Sequence, residues 1–119
     1  MALTYYGYPP CGTCRKAKKW LDANDMNYKE FHIVEQPPNR NELQEMQKKS
    51  GLDVKKFFNT SGKKYRELGL KDKLKTASED EMFDILSSDG MLIKRPIITD
   101  GKNVTIGFKE SQFEEVWKK

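Results

Sequence analysis

The apolar positions along this chain change their period several times. Leu3-Thr4-Tyr5-Tyr6 is rich in β-formers and stops at Gly7, which predicts a short strand. Pro9-Pro10 then ends regular structure and turns the chain. From residue 12 to about 24 the spacing is helical. Cys14, Ala17 and Leu21 share one stripe with Trp20 beside it, while Lys16, Lys19 and Asp22 point elsewhere. Residues 28–34 predict a second strand, with Tyr28, Glu30 and His32 alternating against Lys29, Phe31 and Ile33. Strand, helix, strand implies a right-handed crossover and parallel pairing.

Pro37-Pro38 breaks the chain again. Asn39 can cap a helix that carries Leu43, Met46 and Gln47 and stops at Ser50-Gly51. Residues 52–60, with Leu52, Val54, Phe57 and Phe58, predict a short helix or turn against the core. Residues 62–70 predict one further short helix ending near Gly69. Ser78 and Glu81 form a capping-box signature ahead of Met82, Ile85 and Leu86, closed by Asp89-Gly90. The last third returns to period two. Pro96-Ile97-Ile98-Thr99, Asp100-Gly101 and Val104-Thr105-Ile106 predict a hairpin, since Asp-Gly supplies the positive φ of such a turn. Residues 111–117 predict a closing helix with Phe113, Val116 and Trp117 apolar. The order is βαβ, a helical stretch, then ββα, which is an α/β fold.

Composition narrows the function classes. A chain of 119 residues fits one domain. With 34% charged and 11% aromatic residues it is a folded, very soluble domain rather than a disordered one. No apolar run approaches the ~18 residues that span a bilayer, so no membrane partner is expected. Met1 to Tyr6 has neither a basic n-region nor an apolar h-region, so the chain is expected to stay in the cytoplasm. The net charge of +4 is interspersed. Its densest basic segment, Arg15-Lys16-Lys18-Lys19, directly follows the cysteines and reads as a solvated helix face. An anionic partner near the cysteines is the functional version of that reading, and direct nucleic-acid binding is not expected. A monomer is expected.

The only two cysteines form Cys11-Gly12-Thr13-Cys14 at a strand-to-helix junction. In a cytoplasmic chain that spacing signals redox chemistry or metal. Structural zinc wants four ligands, and the chain offers one histidine, His32, besides the pair, so no metal is expected. His32 reads as a strand residue without a catalytic role. Cys11 sits where free helix amides and the macrodipole stabilise a thiolate. Arg15 adds positive charge nearby. Cys14 lies on the core-facing stripe and should ionise less. The asymmetry assigns Cys11 as nucleophile and Cys14 as resolving thiol, forming a Cys11–Cys14 disulfide in the cycle. Gly12 and Thr13 are small enough to leave the approach open. In Lys94-Arg95-Pro96-Ile97, Pro96 starts a strand and can hold a cis bond in a substrate-binding loop, and Arg95 can put its guanidinium near Cys11 to hold an anion.

Tyr-Pro-Pro-Cys11-Gly-Thr-Cys14-Arg15-Lys-Ala, together with Ile93-Lys94-Arg95-Pro96-Ile97-Ile98 and Val104-Thr-Ile-Gly107, resembles the arsenate reductase/Spx family across essentially the whole chain, closest to its arsenate reductase-like branch. The resemblance implies a single thioredoxin/glutaredoxin-like domain over residues 1–119, with a helical insertion at about 39–90. In the reductases of that family one cysteine, matching Cys11, is the nucleophile and arginines hold the oxyanion. Arg95 matches one arginine; the others fall around Asn59 and at Phe108, so most of the clamp is missing. Spx-type regulators use the cysteine pair as a redox switch and bind the C-terminal domain of the α subunit of RNA polymerase. Cys11, Cys14 and Arg95 match them. The leading expectation is a thiol-disulfide oxidoreductase acting on protein or low-molecular-weight disulfides. It would hold no bound cofactor and take electrons from thioredoxin or a low-molecular-weight thiol. A redox-switched regulator is the alternative, and arsenate reduction ranks third.

Overall fold

The computed structural model describes residues 3–118. In chain order it contains β1 (Leu3–Gly7), α1 (Gly12–Ala23), β2 (Tyr28–His32), α2 (Arg40–Ser50), a 3-10 turn (Val54–Phe57), α3 (Lys63–Glu67), α4 (Leu70–Lys73), α5 (Glu79–Ser88), a second 3-10 turn (Gly90–Leu92), β3 (Ile97–Thr99), β4 (Val104–Ile106) and α6 (Glu110–Val116). The strands form one sheet in the order β2-β1-β3-β4. β1 pairs in parallel with β2, Leu3 opposite Tyr28 and Gly7 opposite His32. It pairs antiparallel with β3, Tyr5 opposite Ile98, and β3 pairs antiparallel with β4.

Period-two alternation divides the core between the two faces of this sheet. Leu3, Tyr5 and Ile98 pack with Cys14, Ala17, Trp20 and Leu21 of α1 and Phe113 of α6. Tyr6 and Ile97 turn to the opposite face, against Leu43 and Met46 of α2 and Met82, Phe83 and Leu86 of α5. The result is a helix–sheet–helix sandwich. Leu21 is fully buried, so truncating it to alanine costs about 2–5 kcal/mol. Arg40 ties α2 to α5 by pairing with Asp80 at 2.8 Å and with Asp84. No described helix is long and apolar enough to cross a membrane.

Two local expectations need correction, and two hold with an addition. β2 ends at His32 rather than residue 34, because the His32 Nδ1 accepts the amides of Val34 and Glu35 and folds the chain into a turn. Residues 62–70 hold the expected short helix, α3, which stops ahead of a left-handed Gly69 at φ 62°; the chain then resumes as α4, which was not expected. The buried stripe of α5 includes Phe83, with Ile85 only half-buried at the rim. Residues 52–60 hold the expected short turn on the core, a 3-10 turn capped by Asp53, but Leu52 is exposed and Phe58 continues into an extended piece that bridges antiparallel to Ile93. That bridge brings the two halves of the chain together beside the cysteines. Gly90 is needed nearby: any side chain there would collide with the Ile33 carbonyl.

Candidate active site

Cys11 is the N-cap of α1. Its backbone is extended (φ −77°, ψ 122°) and its sulfur accepts the Cys14 amide at 3.4 Å. The Cys11 amide donates to the Tyr8 carbonyl at 2.9 Å, and its carbonyl accepts from Arg15 at 3.1 Å, which starts the helix. Cys11 is half-buried, Gly12 and Thr13 are exposed, and nothing lies within 4 Å of the space a side chain at Gly12 would take. Cys14, three residues on, is 2% exposed. Its sulfur accepts the Tyr8 amide at 3.4 Å and its carbonyl accepts the Tyr5 hydroxyl at 3.1 Å. Tyr5 lies over Gly7, which has no room for a side chain. Both cysteines are free thiols.

These surroundings separate the two sulfurs chemically. Partial burial alone would raise the Cys11 thiol, but the amide and thiol of Cys14, the Arg95 side chain and the Thr13 amide outweigh it and hold the thiol below its ordinary value. Burial pushes Cys14 up to about 12, helped by the neighbouring Cys11 and opposed by the Tyr8 amide and the charge of Arg95. Of the two sulfurs, the accessible one therefore ionises first.

Arg95 arrives from the other end of the chain. Its guanidinium stacks over the Tyr8 ring, 4.9 Å from the centroid, and donates to the Met91 carbonyl at 3.2 Å. With Cys11, Thr13, Asn59, Ser61, Gly62 and Lys94 it lines a hollow of about 370 Å³. The Arg95–Pro96 bond is cis, and the buried Pro96 gives its carbonyl to the Gly107 amide at 2.9 Å. The structure thus brings Cys11, Cys14, Thr13 and Arg95 together. Arg15 lies elsewhere. It lines a separate hollow of about 150 Å³ with Tyr5, Tyr8, Cys14, Lys18 and Glu30, and it is not among the groups named above that lower Cys11.

Sequence reasoning missed Tyr8, whose backbone contacts both cysteines and whose ring supports Arg95; it also missed Ser61 and Lys94 as wall residues. Only the position of Tyr8, three residues before Cys11, hinted at it. Phe108 turns inward and meets Phe113 edge-on at 4.8 Å. Among the described residues, no three His, Cys, Asp or Glu gather as a metal site would require.

A helix-capping cysteine facing an arginine that precedes a strand-initiating proline fits a known pattern. The model of the ArsC family matches residues 6–116, a span that includes every residue of this hollow. The chain belongs to the ArsC family. It is 65% identical over 117 residues to the uncharacterized protein YusI of Bacillus subtilis, covering 98% of this chain and 99% of YusI. The global transcriptional regulator Spx of Streptococcus agalactiae is 31% identical over 111 residues, 92% of this chain and 79% of Spx. The crystal structure of an ArsC family related protein from Bacteroides fragilis superposes with a TM-score of 0.94 at 44% identity, covering 97% of each chain. The sandwich is accordingly the thioredoxin-like fold of the ArsC family.

Proposed function

We propose that this ArsC-family protein is a thiol-disulfide oxidoreductase, on the strength of one observation: an accessible thiol with a lowered pKa sits one helical turn from a buried thiol with a raised one. The Cys11 thiolate attacks a substrate disulfide. As the Cys11–sulfur bond forms, the substrate S–S bond breaks and one thiolate leaves. Cys14 then loses its proton and attacks the Cys11 sulfur, releasing the second thiol and leaving a Cys11–Cys14 disulfide. The negative charge on Cys11 that opposed ionisation of Cys14 is gone once Cys11 is in the mixed disulfide, so the resolving step becomes easier after the first. Thioredoxin or a low-molecular-weight thiol returns two electrons to the pair, with no bound cofactor. A reducing cytoplasm suits a free dithiol.

The test follows the sulfur. With a model disulfide in an NADPH-coupled assay, Cys11→Ser is expected to form no adduct, and Cys14→Ser to accumulate a mixed disulfide visible by intact mass. Equal loss of the initial attack in both variants would overturn the assignment of roles.

Similarity to Spx supports a second reading, a redox-switched regulator that contacts the C-terminal domain of the α subunit of RNA polymerase. It predicts little turnover and a pull-down of polymerase that differs between dithiol and disulfide forms. Arsenate reduction is the weakest reading. Asn59 occupies the hollow where a clamp arginine would stand, and Phe108 is packed on an apolar cluster. An arsenate dianion would meet Arg95 without those charge-assisted hydrogen bonds.

A further inference from the structure

The hollow beside Cys11 does not end at Lys94. A second, larger hollow of about 480 Å³ adjoins it there, walled by Lys55, Lys56, Phe58, Thr60 and Asp53. Lys94 lines both. Along this trough four cations, Arg95, Lys94, Lys55 and Lys56, face one acid. None of the four is ion-paired among the described residues. The acid, Asp53, is engaged by its own turn, its Oδ1 accepting the Lys55 amide at 2.9 Å.

The frame beneath the cations is fixed. The Lys94 amide donates to the Phe57 carbonyl at 2.7 Å and the Asn59 amide to the Leu92 carbonyl at 2.8 Å, so the two walls are one antiparallel rib. The Lys94 stem passes Gly107, where a side chain would meet its Cε at 3.4 Å. A small-molecule site encloses most of its ligand. This trough is instead open to solvent and rimmed by exposed ammonium groups, which suits an extended chain held by charge. Nucleic acid would satisfy the charges but carries no sulfur for Cys11.

We propose that the protein partner of Cys11 carries acidic residues next to its reactive cysteine, and that this segment lies from Cys11 across Lys94 to Lys55 and Lys56. The inference rests on Cys11 being the attacking thiol. In the exchange step the Cys11 thiolate bonds to the peptide sulfur, and the group on the far side of the peptide disulfide leaves with the electron pair.

The experiment uses the full chain as Cys14→Ser, with three peptides whose single cysteine is activated as a pyridyl disulfide and flanked by aspartates, serines or lysines. Release of pyridinethione gives the rate. The aspartate peptide is expected to react about tenfold faster than the lysine peptide at low salt, with the preference collapsing at high salt. Adding Lys55→Gln and Lys56→Gln should shrink the aspartate-to-serine ratio severalfold. The same two charges removed at Lys71 and Lys73 of α4 should leave that ratio in place. Equal rates for the three peptides would overturn the trough as an acidic-peptide site, and so would an equal response to the α4 pair, which would reduce the effect to net charge. No reaction with any peptide would instead overturn the attacking role of Cys11.

Discussion

The helices that open at Asn39 and Ser78 solve a common problem with different atoms from the helix that opens at Cys11. Each must satisfy free amides at its positive end. α2 does so with a reciprocal box: Asn39 Oδ1 accepts the Glu42 amide at 2.8 Å, and Glu42 reaches back to the Asn39 amide at 2.9 Å. α5 repeats this with Ser78 and Glu81 and places Glu79 and Asp80 in the same turn. α1 has no acidic residue in its first turn and only a sulfur at 3.4 Å as its cap. Two helix starts are saturated with oxygen and negative charge, whereas the third is left under-satisfied. The anion that best completes it is the thiolate of its own cap, so the reactivity proposed for Cys11 would follow from an unfinished helix end.

The strongest break of this contrast is Cys11→Ser. A serine oxygen is a good N-cap, so the melting temperature should hold or rise while disulfide exchange falls to background. Thermal melts alongside the coupled assay check both, and a fall of several degrees would make the thiol a structural cap. Next is Arg95→Ala. The reactive form is the thiolate, present above the thiol pKa, so losing the guanidinium moves the alkylation profile to higher pH. A shift of about one unit costs about tenfold in thiolate at pH values below the midpoint; an unmoved profile would remove Arg95 from the site. Ser78→Ala reverses the pattern. It should cost about 1 kcal/mol, lowering the melting temperature by about 4 °C, and leave the alkylation profile unchanged. The smallest effect belongs to Tyr8. Tyr8→Leu removes the aromatic face under Arg95, worth about 0.5–1 kcal/mol, and should slow alkylation at most severalfold, while Tyr8→Phe should not.

What could be read in advance follows from range along the chain. The stripe of Cys14, Ala17, Trp20 and Leu21, the Ser78–Glu81 box and the Asp100-Gly101 hairpin are local signals, and each is present. Asn39 was legible as a cap, but not the return bond from Glu42. The early end of β2 depends on a histidine ring folding back on its own chain, which β-propensity does not encode. The division of α3 from α4 depends on one glycine adopting left-handed geometry. For the candidate site, the Cys11–Cys14 asymmetry was legible because position on a helix sets burial. The turning away of Arg15, the stacking of Arg95 on Tyr8 and the joining of residues 57–59 to 92–94 are contacts between distant segments, and no local period announces them.

The Tyr5 hydroxyl on the Cys14 carbonyl bears on which sulfur would travel in the proposed cycle. Cys14 is held at its carbonyl by the central strand, at its sulfur by the Tyr8 amide and on every side by apolar packing. Cys11 is half-buried and hangs at the end of a proline-led loop. In the proposed cycle, closure of the dithiol would therefore fall to residues 9–13, with the sheet and the body of α1 held in place. A protein that told the proposed oxidised form from the reduced one would then have to read that short arc.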